Sequence, residues 1–240
     1  LVSDSRLKGT NLGMKFAVLS VAEFRKTFTL RVKQVGPLKS DVLVVREMLD
    51  RAEEILDPRL ILLDRGFYAV KVIRELKSRN QGFIMPARKT APIKKLCEKY
   101  EKGEAPCEME YTVRGKDGEE EVRLVITEEK TKNGTEIHPF ITNRKFSAEE
   151  VSEDYGWRWR IETNNREFGK FRPFTTSQSM KLRRLYFLIG MLLYDLWIFR
   201  RGGGEFPRAY QFKDSLRIDL KVLEFLGERE GRPPPVPVLA

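Results

Sequence analysis

The run Arg59-Leu-Ile-Leu-Leu-Asp64 constrains this chain more than any other stretch. Apolar residues succeed one another with no polar partner between them. A strand of that kind is covered on both faces, so it belongs to a sheet held between helices. An acid closes the run, and Gly66 ends the strand two residues later. On either side the apolar spacing turns helical. Asp41 to Leu56 repeats through Val44, Val45, Met48, Leu49, Ala52 and Leu56, and Tyr68 to Arg79 through Val72, Ile73 and Leu76. Phe83-Ile-Met85 is a second short strand. Upstream, Lys15 to Val21 reads as a buried strand and Lys26 to Val35 alternates with period two, which predicts an antiparallel hairpin ended by Gly36-Pro37. Strand, strand, helix, strand, helix, strand predicts an α/β domain, a mixed sheet flanked by helices. In such sheets, sites gather outside the carboxyl ends of strands.

From Thr90 the pattern becomes β-rich. A short basic helix over Pro92–Lys102 precedes strands at Glu108–Val113, Glu120–Thr127 and Ile137–Thr142, with hairpin turns at Lys116-Asp-Gly118 and Lys132-Asn-Gly134. Ser147-Ala-Glu-Glu150 has the form of a capping box. A helix is expected from Tyr155 to about Phe171, closed by Pro173. Ser177 or Ser179 caps a long helix, Met180 to Arg201, that Gly202-Gly-Gly204 stops. Its apolar run, Leu185 to Phe199, is short for a membrane span and is interrupted by Asp195. Asp214 to Leu226 forms a final helix, and Arg232 to Pro237 an extended tail. The expected division is a core over 1–89, a β-rich insertion over 90–146, core helices over 147–201, and a helix with a Pro-rich tail over 202–240.

Forty-five basic against 35 acidic residues give a net charge of +10. Such a field attracts polyanions, nucleic acid first among them. The ordinary alternative is a basic protein adapted to solubility or heat, since both signs are interspersed. Cys97 and Cys107 are the only cysteines and His138 the only histidine, with no CxxC pair or His cluster, which argues against a structural zinc site. No signal peptide is evident, and a cytoplasmic, nucleoid-associated protein with reduced thiols is expected.

On the helix from Tyr155, steps of three and four residues place Tyr155, Arg158, Glu162 and Arg166 on one stripe. A solvated face laced with ion pairs is the ordinary reading of such a stripe. Trp157, Trp159 and Ile161 argue instead for a partly buried helix, with core packing as the role of at least one tryptophan.

Tyr155, two residues, Arg158, three residues, Glu162 resembles the signature around the last catalytic carboxylate of DDE transposases from cut-and-paste insertion sequences. Leu63-Asp64-Arg65-Gly66-Phe67-Tyr68 resembles the stretch around the same family's second catalytic Asp. The family pattern closes on a lysine where this chain has Gly169, with Lys170 one place later. The resemblance implies an RNase H-like core with a β-rich insertion before the last carboxylate. It implies that Asp64 and Glu162 are two of three carboxylates holding Mg²⁺ or Mn²⁺, and that Tyr155, Arg158, Arg166 and Lys170 contact DNA phosphates. Arg88, Lys89, Lys94, Lys95, Arg183 and Arg184 either extend the DNA path or are simply solvated side chains, the second being the ordinary reading of each. The implied reaction is metal-dependent hydrolysis of a DNA phosphodiester, then strand transfer through 3′-hydroxyl attack. The implied partners are double-stranded DNA, as element ends and target, and a second copy of the chain.

The third carboxylate is either Asp4 or an Asp upstream of Leu1. The second choice is favoured, and it would make the chain an N-terminally truncated core that binds metal weakly and is catalytically poor or inactive. Two other readings stay open, an RNase H-like nuclease and a non-catalytic basic DNA-binding remnant.

Overall fold

The computed structural model describes residues 14–23, 26–36, 40–131 and 134–229; within these, the side chains of 23, 26, 159–166 and 227–229 fall outside the description. The chain divides into two units. One takes Leu30–Trp159 with the chain up to Leu19, and the other takes Ser20–Thr29 with the chain from Arg160 on.

In the first unit, β3 (Leu60–Leu62) pairs in parallel with β4 (Gly82–Pro86), Ile61 opposite Phe83. Three further strands, β5 (Glu108–Gly115), β6 (Gly118–Thr131) and β7 (Gly134–Thr142), are antiparallel, and the sheet order is β3-β4-β7-β6-β5. The segment expected as a β-rich insertion is β-rich, and its strands extend the sheet that β3 and β4 begin. Two residues, Lys116 and Asp117, connect β5 to β6, and Gly118 sits at φ +106°, which a side chain would strain. The first hairpin, β1 (Lys15–Glu23) and β2 (Lys26–Val35), forms a separate two-stranded sheet.

Successive side chains of a strand point to opposite faces, and here both faces are covered. Ile61, Leu63, Phe83 and Met85 join a core with Val45 and Leu49 of α1 (Asp41–Glu53), Val72, Ile73 and Leu76 of α2 (Val70–Ser78), and Ile93 of α3 (Ala91–Glu101). Leu60, Leu62 and Ile84 face the other way, toward Val125, Phe140 and Val151. Each fully buried side chain such as Phe83 or Ile84 contributes about 1.5–3 kcal/mol. On a further flank of α1, Val44 and Met48 meet Val35, Ala17 and Leu19 of the hairpin.

Val151 belongs to α4 (Ala148–Phe168), which begins seven residues before the expected start at Tyr155. The capping box accounts for the difference. Ser147 N donates to Glu150 Oε2 at 2.8 Å and Glu150 N to Ser147 Oγ at 3.2 Å, so two donors of the first turn are satisfied reciprocally. The residues from Ala148 to Asp154 thus continue directly into the helix.

An ion cluster joins α1 to α2. Glu75, buried on α2, accepts from Arg46 Nε at 3.1 Å and Arg79 Nε at 2.9 Å, while Arg79 also donates to Asp50 and Glu53. The Arg46 hydrogen bond holds the Glu75 carboxyl below its usual range, burial opposing and Arg79 assisting.

The second unit contains the C-terminal part of α4, then α5 (Met180–Gly202) and α6 (Ala209–Arg229). Ser179 caps α5 by accepting from Leu182 N, as one of the two expected candidates. Phe171, Tyr194, Trp197 and Phe212 form an aromatic cluster, with Phe171 5.4 Å from Trp197 and 6.0 Å from Phe212. Phe212 and Ala209 are buried, which is why α6 starts earlier than Asp214. Asp195, the acid that interrupts the apolar run, accepts from Thr29 N at 3.0 Å, and burial raises its carboxyl above the usual range. Residues 230–240, with the expected tail, lie outside the described residues.

The contacts of Glu75 and Gly190 make stability measurable at two points. Glu75→Gln loses about 1.5–3 kcal/mol at neutral pH, because hydrogen bonds to a charged acceptor are lost. A carboxyl lowered in the folded state stabilises it above the unfolded value of 4.5, and that contribution disappears as pH falls through the folded value. The difference in thermal midpoint between the two proteins therefore shrinks below pH 4.5. Gly190 is buried in α5, where an added Cβ would lie 2.9 Å from Phe168 and 3.0 Å from the Arg172 backbone; Gly156 of α4 has nothing within 4 Å. Denaturant titration should show Gly190→Ala destabilised by about 1–3 kcal/mol and Gly156→Ala stabilised by about 0.8–1 kcal/mol.

Candidate active site

Leu63 continues β3, its N–H donating to Ile84 O at 3.0 Å, and Asp64 stands immediately beyond the carboxyl end of the strand. Asp64 has extended backbone and caps a 3-10 turn, Arg65–Phe67, with Oδ1 accepting from Arg65 N at 2.7 Å. Phe67 N returns to Asp64 O at 2.9 Å. These bonds fix the carboxylate, yet its side chain is 66% exposed. Tyr68 then turns inward. Burial pushes its hydroxyl up to about 12, Tyr111 adding to the rise and Arg88, 5.9 Å from the ring centroid, opposing it.

The second motif reaches the same place. Tyr155 donates its hydroxyl to Leu63 O at 3.3 Å, its ring 4.6 Å from that of Phe140 on β7. One turn further along α4, the Arg158 guanidinium lies over the Tyr155 ring at 5.1 Å and 3.8 Å from Asp64 Oδ1. Two motifs ninety-two residues apart are thus joined through one carbonyl and one carboxylate. On the preceding turn, burial pushes the Asp154 carboxyl above its usual range, with Glu150 and Glu153 adding.

The pair is long, with the Arg158 side chain 22% exposed and its carboxylate end open to solvent. Its chemistry is better suited to ligands. A carboxylate held at a strand end and open to solvent is a hard oxygen donor of the kind Mg²⁺ and Mn²⁺ prefer, and a guanidinium beside it can take phosphate oxygens in a planar fork. Asp64 therefore supplies one donor of the kind a divalent cation takes. Among the described residues, no group of three His, Cys, Asp or Glu gathers to complete a site.

Several of the other expected residues fall beyond what is described. Glu162 and Arg166 lie within α4, with Trp159, and their side chains fall outside the described residues. Asp4 lies outside the described residues altogether. Lys170 comes after α4 in the second unit and is paired with Glu167 at 2.6 Å. Lys89 donates to Ile137 O at 2.8 Å, Arg183 to Ser177 O at 2.6 Å, and Arg88, Lys94, Lys95 and Arg184 are exposed. Sequence reasoning missed the Leu63 carbonyl and Phe140. A main-chain acceptor leaves no mark in a sequence, and Phe140 is one apolar residue among many in its strand.

No described helix is long and apolar enough to cross a membrane. Among curated proteins, none matches the chain. The family described as Transposase DDE domain matches residues 30–194, well over half the length and including both Asp64 and the whole of α4. The mixed α/β fold is consistent with the RNase H-like domain of that family. On that match, the chain belongs to the transposase DDE domain family.

Proposed function

We propose that this chain is the catalytic domain of a DNA transposase and that Asp64 and Glu162 are two of its metal-binding carboxylates. The observation that supports this most is the approach of α4 to the end of β3, where Arg158 lies 3.8 Å from Asp64. Glu162 stands four residues beyond Arg158 on the same helix, about 6 Å along its axis. Transposases of this kind use divalent metals, which when bound activate the attacking hydroxyl and stabilise the leaving oxygen.

The chain's own residues supply the rest. The Arg65 amide orients the Asp64 carboxylate, and Arg158 offers its fork to a phosphate beside it. Arg166 and Lys170 continue the positive charge toward the end of α4 and beyond. Tyr155 has a single hydroxyl proton, and Leu63 O accepts it. Phosphate contact therefore falls chiefly to the arginines. The substrates would be duplex DNA at element ends and at the target. Hydrolysis would free a 3′-hydroxyl that attacks a target phosphodiester, with two copies of the chain acting on paired ends.

Titration of Mn²⁺ by calorimetry tests the metal assignment. Asp64→Asn and Glu162→Gln should each abolish binding while leaving affinity for duplex DNA intact. Metal binding that survives both substitutions would remove the catalytic reading and leave a basic DNA-binding module. The DNA contact has a separate signature, because each phosphate neutralised adds about 0.9 to the slope of log affinity against log salt. Arg158→Ala should lower that slope by about one. An affinity that scarcely changes with salt would show that phosphate contact is not the main source of binding.

A further inference from the structure

We infer that Tyr155 is a positioning residue. Its hydroxyl ties the N-terminal half of α4 to the main chain that carries Asp64, and so holds Arg158 beside that carboxylate. The inference rests on Asp64 being a metal ligand, and it goes beyond that assignment in giving the signature tyrosine a task other than holding DNA.

The peptide units around Leu63 are held from two sides. Leu63 N donates to Ile84 O of β4 at 3.0 Å, and Leu63 O accepts the Tyr155 hydroxyl at 3.3 Å. The first bond secures the strand end within the sheet and the second secures it to α4. Asp64 is the next residue, and its carboxylate is fixed in turn by the Arg65 amide at 2.7 Å. Helix, strand end and carboxylate therefore form one hydrogen-bonded chain of contacts.

The Tyr155 ring has a different task from its hydroxyl. It packs against the cluster of Ile84, Val125, Phe140 and Val151, with Phe140 at 4.6 Å. The Arg158 guanidinium lies over it at 5.1 Å. Apolar burial thus belongs to the ring and registration to the hydroxyl. Tyr155→Phe separates the two, keeping the packing and removing the tether. Groups that orient a ligand from outside the coordination shell tune metal affinity, so an untethered strand end carrying Asp64 would bind metal less well even in a fully folded protein.

Three measurements on the Tyr155→Phe protein test this. Amide hydrogen exchange of Arg65 and Phe67 should accelerate severalfold, while that of Leu76 in the α2 core stays unchanged. Mn²⁺ affinity should fall by about tenfold, the low end for loss of a group that orients a ligand from outside the coordination shell. Affinity for duplex DNA should stay within about twofold, well short of the loss expected for removing a phosphate contact. Unchanged exchange at Arg65 and Phe67 overturns the tether whatever the metal result. A fall in DNA affinity with unchanged exchange assigns the hydroxyl to a phosphate instead. Asp64→Asn serves as the control. If wild-type Mn²⁺ binding survives that substitution, the metal assignment fails, and the exchange data alone then decide whether Tyr155 registers the strand end.

Discussion

A strand with apolar side chains on both faces requires two covers, and most of this domain is shaped by supplying them. β3 and β4 present Ile61, Leu63, Phe83 and Met85 to one side and Leu60, Leu62 and Ile84 to the other. The first side is closed by α1, α2 and α3. The second is closed at Val151 and Tyr155 by α4, a helix almost ninety residues further along. Burial is nondirectional and scales with area, so it explains why a helix lies there. It does not explain why this stretch of the helix lies beside Asp64. That specificity comes from the polar contacts at the end of the strand, each weaker than the burial beneath it.

Charge serves two distinct purposes in the first unit. Around Glu75, the side chains of Arg46, Arg79, Asp50 and Glu53 surround a buried carboxylate, and the arginine donors leave its two oxygens satisfied. A cluster of that kind helps hold α1 to α2. Around Asp64, the carboxylate is exposed and the nearest guanidinium stands off at 3.8 Å. The Asp64 carboxylate, largely open to solvent, keeps capacity for other ligands. The two settings use the same residue types, and burial together with separation distinguishes structure from chemistry.

Much of this arrangement was legible in the sequence. The uninterrupted run at Leu60–Leu63 announced double cover, and helical spacing located α1, α2 and α5 to within a few residues. Asp64 was recognisable at a strand end and Arg158 on the helix that meets it. Boundaries slipped where a local signal had to be weighed against a tertiary one. The capping box at Ser147 was visible, yet the helix was expected only from Tyr155, seven residues after its true start. For α6, the buried contact of Phe212 with Phe171 begins the helix early, and no neighbour in sequence carries that information. The hydroxyl-to-carbonyl bond was illegible in principle, since one partner is main chain.

The alternation of β3 carries one more consequence, for how such a chain can vary. Because consecutive residues face opposite covers, inserting or deleting a single residue between Leu60 and Leu63 would exchange the two faces and turn Asp64 away from α4. The length of this segment is therefore as restricted as its composition. The two-residue turn at Lys116 and Asp117 lies at the far edge of the sheet, among exposed residues. Length variation among related chains should accumulate at that edge and be nearly absent at β3.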